Sequence, residues 1–277
     1  MIFASLASGS SGNCSFAATE HSSILIDCGL SAKRIDESLK ALGYSAAGLD
    51  AVLLTHEHSD HIKGLKRLVS AYGVPVYASE ATLRQLPEAA RDEFFRYAGR
   101  ELMHPVSAEQ WLQIGDFSVL PFQVSHDAAG PFAYRFETKQ AAGTALRSHV
   151  SGAVMTDTGF FDDAMRDHLL GLDVLLLEAN HDRGMLSNGP YPLVLKRRIM
   201  SRQGHLSNNA AGQLLSEILN PRLSHVFLGH LSRENNTPEL ALETVRREVA
   251  ERLGARAAEA LSLSVAPREG LSQVIRL

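Results

Sequence analysis

Cysteine is scarce in this chain of 277 residues: Cys14 and Cys28 are its whole complement. Two thiols cannot build a disulfide framework, and a core drawn from a chain this long needs no such staples, so both are expected to be reduced, as in a cytoplasmic protein. Long apolar runs are missing too. Stretches such as Val174 to Leu177 are far too short to cross a bilayer, and Met1-Ile2-Phe3-Ala4-Ser5 lacks a basic start and reads as a first strand. Neither a membrane span nor a signal peptide is therefore expected. No internal repeat, low-complexity tract or Pro/Gly linker divides the chain, which reads as a single domain over 1–277. An excess of one charge is also absent. The formal net charge is −4 and the pI about 6.3, which excludes a broad electrostatic grip on nucleic acid. A phosphodiester substrate is not excluded, because bound divalent metals would bring positive charge that this count omits.

What is present is ordinary globular composition, 45% hydrophobic and 21% charged. Short apolar runs bounded by Gly, Ser and Asn predict strands at Phe3–Leu6, Ser15–Ala18 and Ile24–Asp27. Ser31–Leu42 is predicted helical, with Ile35, Leu39 and Leu42 on one face, and Ile62–Tyr72 likewise, with Ile62, Leu65, Leu68 and Val69. Further strands are predicted at Val52–Leu54, Val74–Tyr77, Phe117–Val124, Phe132–Glu137, Ala153–Thr156, Val174–Leu177 and Val226–Leu228, with closing strands at Ser262–Val265 and Gln273–Ile275. Helices are expected over Phe161–Leu170, Pro192–Ser201, Asn208–Leu219 and Pro238–Leu253, with Glu80–Tyr97 helical but broken at Pro87 and Thr138–Gly152 a polar hairpin. Strands first, then strands alternating with helices, then the same again, describe a layered α/β protein.

The strongest chemical signal is His56-Glu57-His58-Ser59-Asp60-His61. Imidazole and carboxylate are the usual ligands of zinc and similar ions, and four such side chains fall between a buried strand and a helix. On an extended loop His56 and His58 point the same way, while Asp60 and His61, at the turn into the helix, are placed to face a second ion. His126, Asp157 and His230 each come just after an apolar run. Singly, each is a polar residue ending a strand; together they occupy the strand ends at which an open α/β sheet builds its site.

These residues resemble the metallo-β-lactamase superfamily, whose His-x-His-x-Asp-His pattern with a later His, Asp and His spans most of the chain. The resemblance implies a four-layer αβ/βα sandwich with a dinuclear site between two sheets. By it, one metal takes His56, His58 and His126, the other takes Asp60, His61 and His230, and Asp157 bridges them. Zinc, manganese and iron all suit such donors. A narrower resemblance runs through Leu6-Ala7-Ser8-Gly9-Ser10-Ser11-Gly12-Asn13, Leu25-Ile26-Asp27-Cys28-Gly29, Ser125-His126-Asp127-Ala128-Ala129 and His230-Leu231-Ser232-Arg233-Glu234-Asn235-Asn236, which are similar to the YycJ/WalJ group. That resemblance implies a 5′-to-3′ exonuclease acting on DNA. Leu175-Leu176-Leu177-Glu178-Ala179 and Gly204-His205-Leu206-Ser207 are similar to segments of the tRNase Z group. There the matching pair helps protonate a leaving oxygen, so Glu178 and His205 become a candidate catalytic dyad beside Asp60, which would orient the attacking water. The large insertion of β-CASP enzymes and the Gly/Pro-rich arm of tRNase Z are both missing, which weakens an RNA-processing assignment.

Other features keep two readings. The Ser8, Ser10, Ser11 and Asn13 segment is either a phosphate-binding loop, with hydroxyls and close-lying N–H groups, or an ordinary hairpin turn. Lys196, Arg197, Arg198 and Arg202 form one basic cluster and Lys63, Lys66 and Arg67 another; both are contacts for a phosphate backbone or solvated helix faces. Cys28 is a small buried residue or a metal or redox group, and His181 stays unassigned. The metal motif alone also admits a cyclic phosphodiesterase, a thioesterase, a lactonase, or a metal-containing regulatory module.

Overall fold

Residue alternation along the first strand sets up the fold. Phe3 and Ser5 face one side of β1 (Ile2–Ala7), and Ala4 and Leu6 the other. A computed structural model describes residues 1–88, 91–92, 99–139 and 149–277. Its strands fall into two sheets of seven among the described residues. The chain divides into two compact units. Unit one is Met1–Gln123, Ala128–Val150 and Pro267–Leu277; unit two is Val124–Asp127 and Ser151–Ala266.

In unit one, β1 pairs antiparallel with β2 (Cys14–Ala18), which pairs antiparallel with β3 (Ser23–Ile26). Parallel pairing then continues through β4 (Ala51–Leu53), β5 (Val76–Ser79) and β6 (Met103–Val106). The crossovers carry helices α1 (Ala32–Ala41), α2 (Ser59–Ile62), α3 (Leu65–Tyr72) and α4 (Glu80–Gln85). Ser31 caps α1 by accepting from the Arg34 N–H, and Ile35 and Leu39 enter the core beside Leu65, Leu68 and Val69 of α3. β7 (Leu112–Ile114), β8 (Phe117–Gln123) and β9 (Phe132–Lys139) form an antiparallel run. It packs on the other face of the first sheet: Phe136 of β9 stacks on Phe3 of β1 with ring centroids 5.8 Å apart, and Phe117 meets Phe136 edge-on at 6.2 Å. The buried Tyr134 hydroxyl donates to the Leu54 carbonyl at 2.8 Å, two residues before His56.

Unit two holds β10 (His149–Met155) from Ser151 onward and, parallel to it, β11 (Val174–Glu178), β12 (His225–Gly229) and β13 (Leu263–Val265). Between them run α5 (Asp163–His168), α6 (Arg183–Asn188), α7 (Leu193–Ile199), α8 (Asn208–Ile218), α9 (Pro238–Leu253) and α10 (Ala255–Ala260). Pro238 opens α9, where its missing N–H costs nothing, and Thr237 caps it by accepting from the Leu240 N–H at 3.2 Å. The closing strand β14 (Ile275–Arg276) returns to unit one beside β1.

Several expectations shift against these elements. The helix predicted over Ile62–Tyr72 is two helices, α2 and α3, separated at Gly64. A side chain there would sit 2.4 Å from the Leu30 carbonyl oxygen, and the Gly64 N–H donates to the Cys28 carbonyl at 2.8 Å. The predicted Glu80–Tyr97 helix ends at Gln85 in its first part, and much of its remainder lies outside the described residues. Of the predicted Thr138–Gly152 hairpin, Thr138 belongs to β9 and His149 onward to β10; 140–148 lie outside the described residues. Val74–Tyr77 and Gln273–Ile275 are each displaced, to β5 and β14. No helix among the described residues is long and apolar enough to cross a membrane.

Phe136→Ala removes a wholly buried ring that two other rings pack against. It is expected to cost about 3–5 kcal/mol, read as a lowered urea midpoint with an unchanged slope.

Candidate metal centre

In unit one, the parallel neighbours β3 and β4 end level with each other, Ile26 opposite Leu53. The residues just beyond the two strand ends are therefore brought together. Asp27, at φ +61, is buried and accepts from the Thr55 N–H at 2.8 Å, from the Thr55 hydroxyl at 2.9 and 3.0 Å, and from His61 Nδ1 at 2.8 Å. Burial pushes the Asp27 carboxyl up, and the bonds from His61 and Thr55 offset part of that. The Thr55 hydroxyl spends its one proton on Asp27, so His56 Nδ1, 3.0 Å from Thr55 Oγ1, must be the donor to it. Both buried histidines are thereby held with Nε2 as the electron-pair donor. His56 Nε2 lies 3.0 Å from His58 Nδ1. His61 Nε2 lies 3.0 Å from Asn13 Nδ2 and 3.6 Å from Asp60 Oδ2.

Backbone contacts lock this loop. Asn13 N–H donates to the Asp60 carbonyl, Cys28 N–H to the His61 carbonyl and Gly29 N–H to the Asn13 carbonyl, each at 2.8 Å. The three segments approach so closely that a Cβ on Gly29 would sit 1.6 Å from the Asp60 carbonyl oxygen and 2.6 Å from the Asn13 nitrogen.

In unit two, the carboxyl ends of β10, β11 and β12 carry Asp157, Glu178 and His230. Asp157 and His230 have φ of +56 and +54. Glu178 is fully buried and takes four hydrogen bonds. Its Oε1 accepts from His205 Nδ1 at 2.8 Å and His230 Nδ1 at 2.9 Å, and its Oε2 accepts from the Thr158 N–H at 3.0 Å and the Leu206 N–H at 3.1 Å. Burial works against the carboxylate, but His205 and the bonds from both histidines win and hold Glu178 at about 2. Burial likewise lowers His205, while the Glu178 charge and hydrogen bond raise it by more, so its net shift is upward. Asp157 Oδ1 lies 3.2 Å from His230 Nδ1 and 3.6 Å from His205 Nδ1. His126 Nδ1 lies 3.2 Å from the Gly204 carbonyl, and burial holds its pKa down. Asp157, Glu178, His205 and His230 offer ligand-type atoms all within 4.8 Å of one another. This donor set suits a divalent ion, and Glu178, its oxygens already engaged, serves it best by orienting histidines.

The structure thus gathers His56, His58, Asp60 and His61 in unit one, and His126, Asp157, Glu178, His205 and His230 in unit two. The Ser8–Asn13 segment divides. Ser8 is buried, with its N–H on the Pro267 carbonyl; Asn13 is buried, its Oδ1 accepting from the Gly9 N–H at 2.9 Å and its Nδ2 3.3 Å from Asp60 Oδ2. Ser10 and Ser11 are exposed. Cys28 is a free, fully buried thiol that burial pushes well up. His181 is buried too, which lowers its pKa to about 4. Sequence reasoning assigned no role to Asp27 or Thr55. The signal was available for Asp27, which comes directly after the apolar run Ile24–Ile26 just as Asp157 and His230 come after theirs.

The fold and these two clusters are those of a metal-binding α/β hydrolase scaffold, and residues 22–226 match the family described as Beta-lactamase superfamily domain. The chain belongs to the metallo-β-lactamase superfamily. It is 38% identical to Exodeoxyribonuclease WalJ of Streptococcus pneumoniae serotype 2 (strain D39 / NCTC 7466) over 249 residues, which is 89% of this chain and 87% of that protein. It is 36% identical to Exodeoxyribonuclease YycJ of Bacillus anthracis over 250 residues, 90% and 89% of the two chains. The crystal structure of the metallo-beta-lactamase fold protein YhfI from Bacillus subtilis shares its fold, with a TM-score of 0.66 at 18% identity over 98% of both chains.

Gly29→Ala must push the Asp60 segment away. A cost of about 1–3 kcal/mol is expected, with metal uptake weakened about ten-fold by calorimetric titration, since misplaced ligands bind poorly. Glu178 is held below its ordinary pKa, so its contribution to stability is complete above about pH 4.5 and fades as pH falls toward about 2. In the metal-free protein, Glu178→Gln is expected to cost about 1–3 kcal/mol near pH 6. That gap should narrow below about pH 4.5 in urea titrations.

Proposed function

We propose that this chain is a dinuclear-metal phosphodiesterase, a 5′-to-3′ DNA exonuclease of the cytoplasm. The observation that carries the reading is the arrangement around Glu178: one buried carboxylate orients both His230, a ligand-type histidine, and His205, a partly exposed one with a raised pKa. A hydrolase whose leaving group is a sugar oxygen needs such a proton donor. The two exodeoxyribonucleases that match along about nine-tenths of the chain support DNA as the substrate.

In this reading His56, His58 and His126 would hold one ion and Asp60, His61 and His230 the other, with Asp157 completing the donor set. Bound there, divalent ions such as zinc, manganese or iron supply Lewis acidity, which makes water a nucleophile at neutral pH and offsets charge on the phosphate. The protein's own groups do the rest. Asp60, its carboxylate 22% exposed and steadied by Asn13, orients the attacking water. Asp27 and Thr55 hold His61 and His56 in the tautomers that present Nε2 as the electron-pair donor. His205 gives its proton to the leaving oxygen and keeps its Nδ1–H on Glu178 as it becomes neutral.

The test is cleavage of end-labelled DNA and RNA, with a cyclic phosphodiester and a thioester alongside, by metal-reconstituted protein. Loss of activity with chelator and with Asp60→Ala is expected. His205→Ala should lower DNA cleavage by about 10²–10⁴ at unchanged metal content. It should do far less with a p-nitrophenyl ester, whose leaving group needs no proton. Equal losses on both substrates would remove the acid role.

A further inference from the structure

Beside the Asp60 segment, within unit one, lies a cleft of about 670 Å3 lined by Ser10, Ser11, Ser59, Asp60, Lys63 and Lys66. Its size falls in the range of roughly 300–1,000 Å3 typical of small-ligand sites. Its chemistry is specific. Three serines and two lysines line it with one acidic residue, whose carboxylate is already engaged by Asn13. The locality is therefore cationic in a chain whose net charge is −4. Ile62 and Pro87 add apolar surface to the same cleft, as a sugar ring flanked by phosphates would need.

The hydroxyls stand on a rigid frame. Ser10 and Ser11 are the central residues of a turn closed by the Gly12 N–H on the Gly9 carbonyl at 2.9 Å. Asn13 ties this turn down at both ends, its Oδ1 on the Gly9 N–H and its N–H on the Asp60 carbonyl. The serines are thus held at a set distance from Asp60, as a positioning site requires and a free hairpin turn does not. The other basic cluster is differently placed. Arg198 donates to Asp127 at 2.6 Å, Lys196 to the Ser187 carbonyl at 2.8 Å, and Arg202 lies 3.5 Å over the Phe160 ring. Those cations are engaged by the chain itself and do not line this cleft.

We propose that this cleft binds the backbone phosphate next to the one that is cut, so that the enzyme takes a nucleic-acid strand rather than an isolated ester. The inference rests on the phosphodiesterase reading for its register but not for its binding. Phosphate contacts of this kind position a strand without reading its bases.

The experiment uses the full metal-loaded chain and a fluorescein-labelled single-stranded DNA oligonucleotide. Binding is read by anisotropy across a salt series, and cleavage is followed in the same samples. Lys63→Ala/Lys66→Ala is expected to weaken binding about ten-fold and to flatten the slope of log K against log salt by about 1.4, from about 0.7 for each single-strand contact. Lys63→Arg/Lys66→Arg should restore the slope, and Ser10→Ala/Ser11→Ala should weaken binding with little change in slope. Lys33→Ala, an exposed lysine of α1 far from the cleft in sequence, should behave as wild type. Wild-type affinity and slope in the double alanine variant would overturn the proposal, as would equal effects from Lys33→Ala. A wild-type chain that binds through these lysines yet cleaves no substrate would keep the cleft and overturn the phosphodiesterase reading instead.

Discussion

The close approach of three backbone segments at Gly29 is the constraint on which the unit-one site depends. Residues 9–13, 27–29 and 59–64 meet there with no room for a Cβ, and each supplies hydrogen-bond partners the others lack. The four ligand-type side chains span an irregular turn at 56–58 and the short helix α2, which is too brief to satisfy its own backbone groups. The loop's backbone N–H and C=O groups must be satisfied by neighbours, or the loop would lose free energy on burial. Asn13 and Cys28 supply such partners, their N–H groups donating to the Asp60 and His61 carbonyls, which leaves the side chains of His56, His58, Asp60 and His61 for chemistry.

The same solution recurs in each unit. A buried carboxylate at a strand end, Asp27 in one and Glu178 in the other, collects backbone N–H groups and histidine Nδ1–H groups. This turns flexible imidazoles into donors of known tautomer before any metal arrives. The arrangement carries strain. Asp27, Asp157 and His230 adopt left-handed backbone conformations that cost about 1–2 kcal/mol each for residues other than glycine. Such conformations persist where surrounding bonds over-determine them, and they redirect a side chain sharply at the end of a strand.

Membership of a superfamily says less about the substrate than about the scaffold, because one fold hosts many reactions. What narrows the chemistry here is the set of groups around the scaffold: a partly exposed histidine hydrogen-bonded to Glu178, and a serine- and lysine-lined cleft beside Asp60. Both suit a charged ester with a poor leaving group.

The metal-ligand candidates were legible in the sequence because they sit at the ends of apolar runs, and hydrophobic periodicity is a local property. His126, Asp157 and His230 could be picked out by that alone, and the family pattern and the α/β class with them. The break at Gly64 was not legible, because the atom that forbids a side chain there belongs to Leu30, in a different loop. Nor were the short strands β6 and β7, whose mixed polarity carries no period. Asn13 had two readings in the sequence, a phosphate-binding loop or a hairpin turn, and neither included its contacts with Asp60 and His61, 47 and 48 residues further on. Asp27 and Thr55 acquired their roles in the same way, across 28 residues. The sequence by itself determined which residues have the chemistry to bind metal and where along the chain they fall. Tertiary structure alone decided which groups orient them, which serines reach solvent and which lysines share a cleft, since those contacts join residues that no local pattern links.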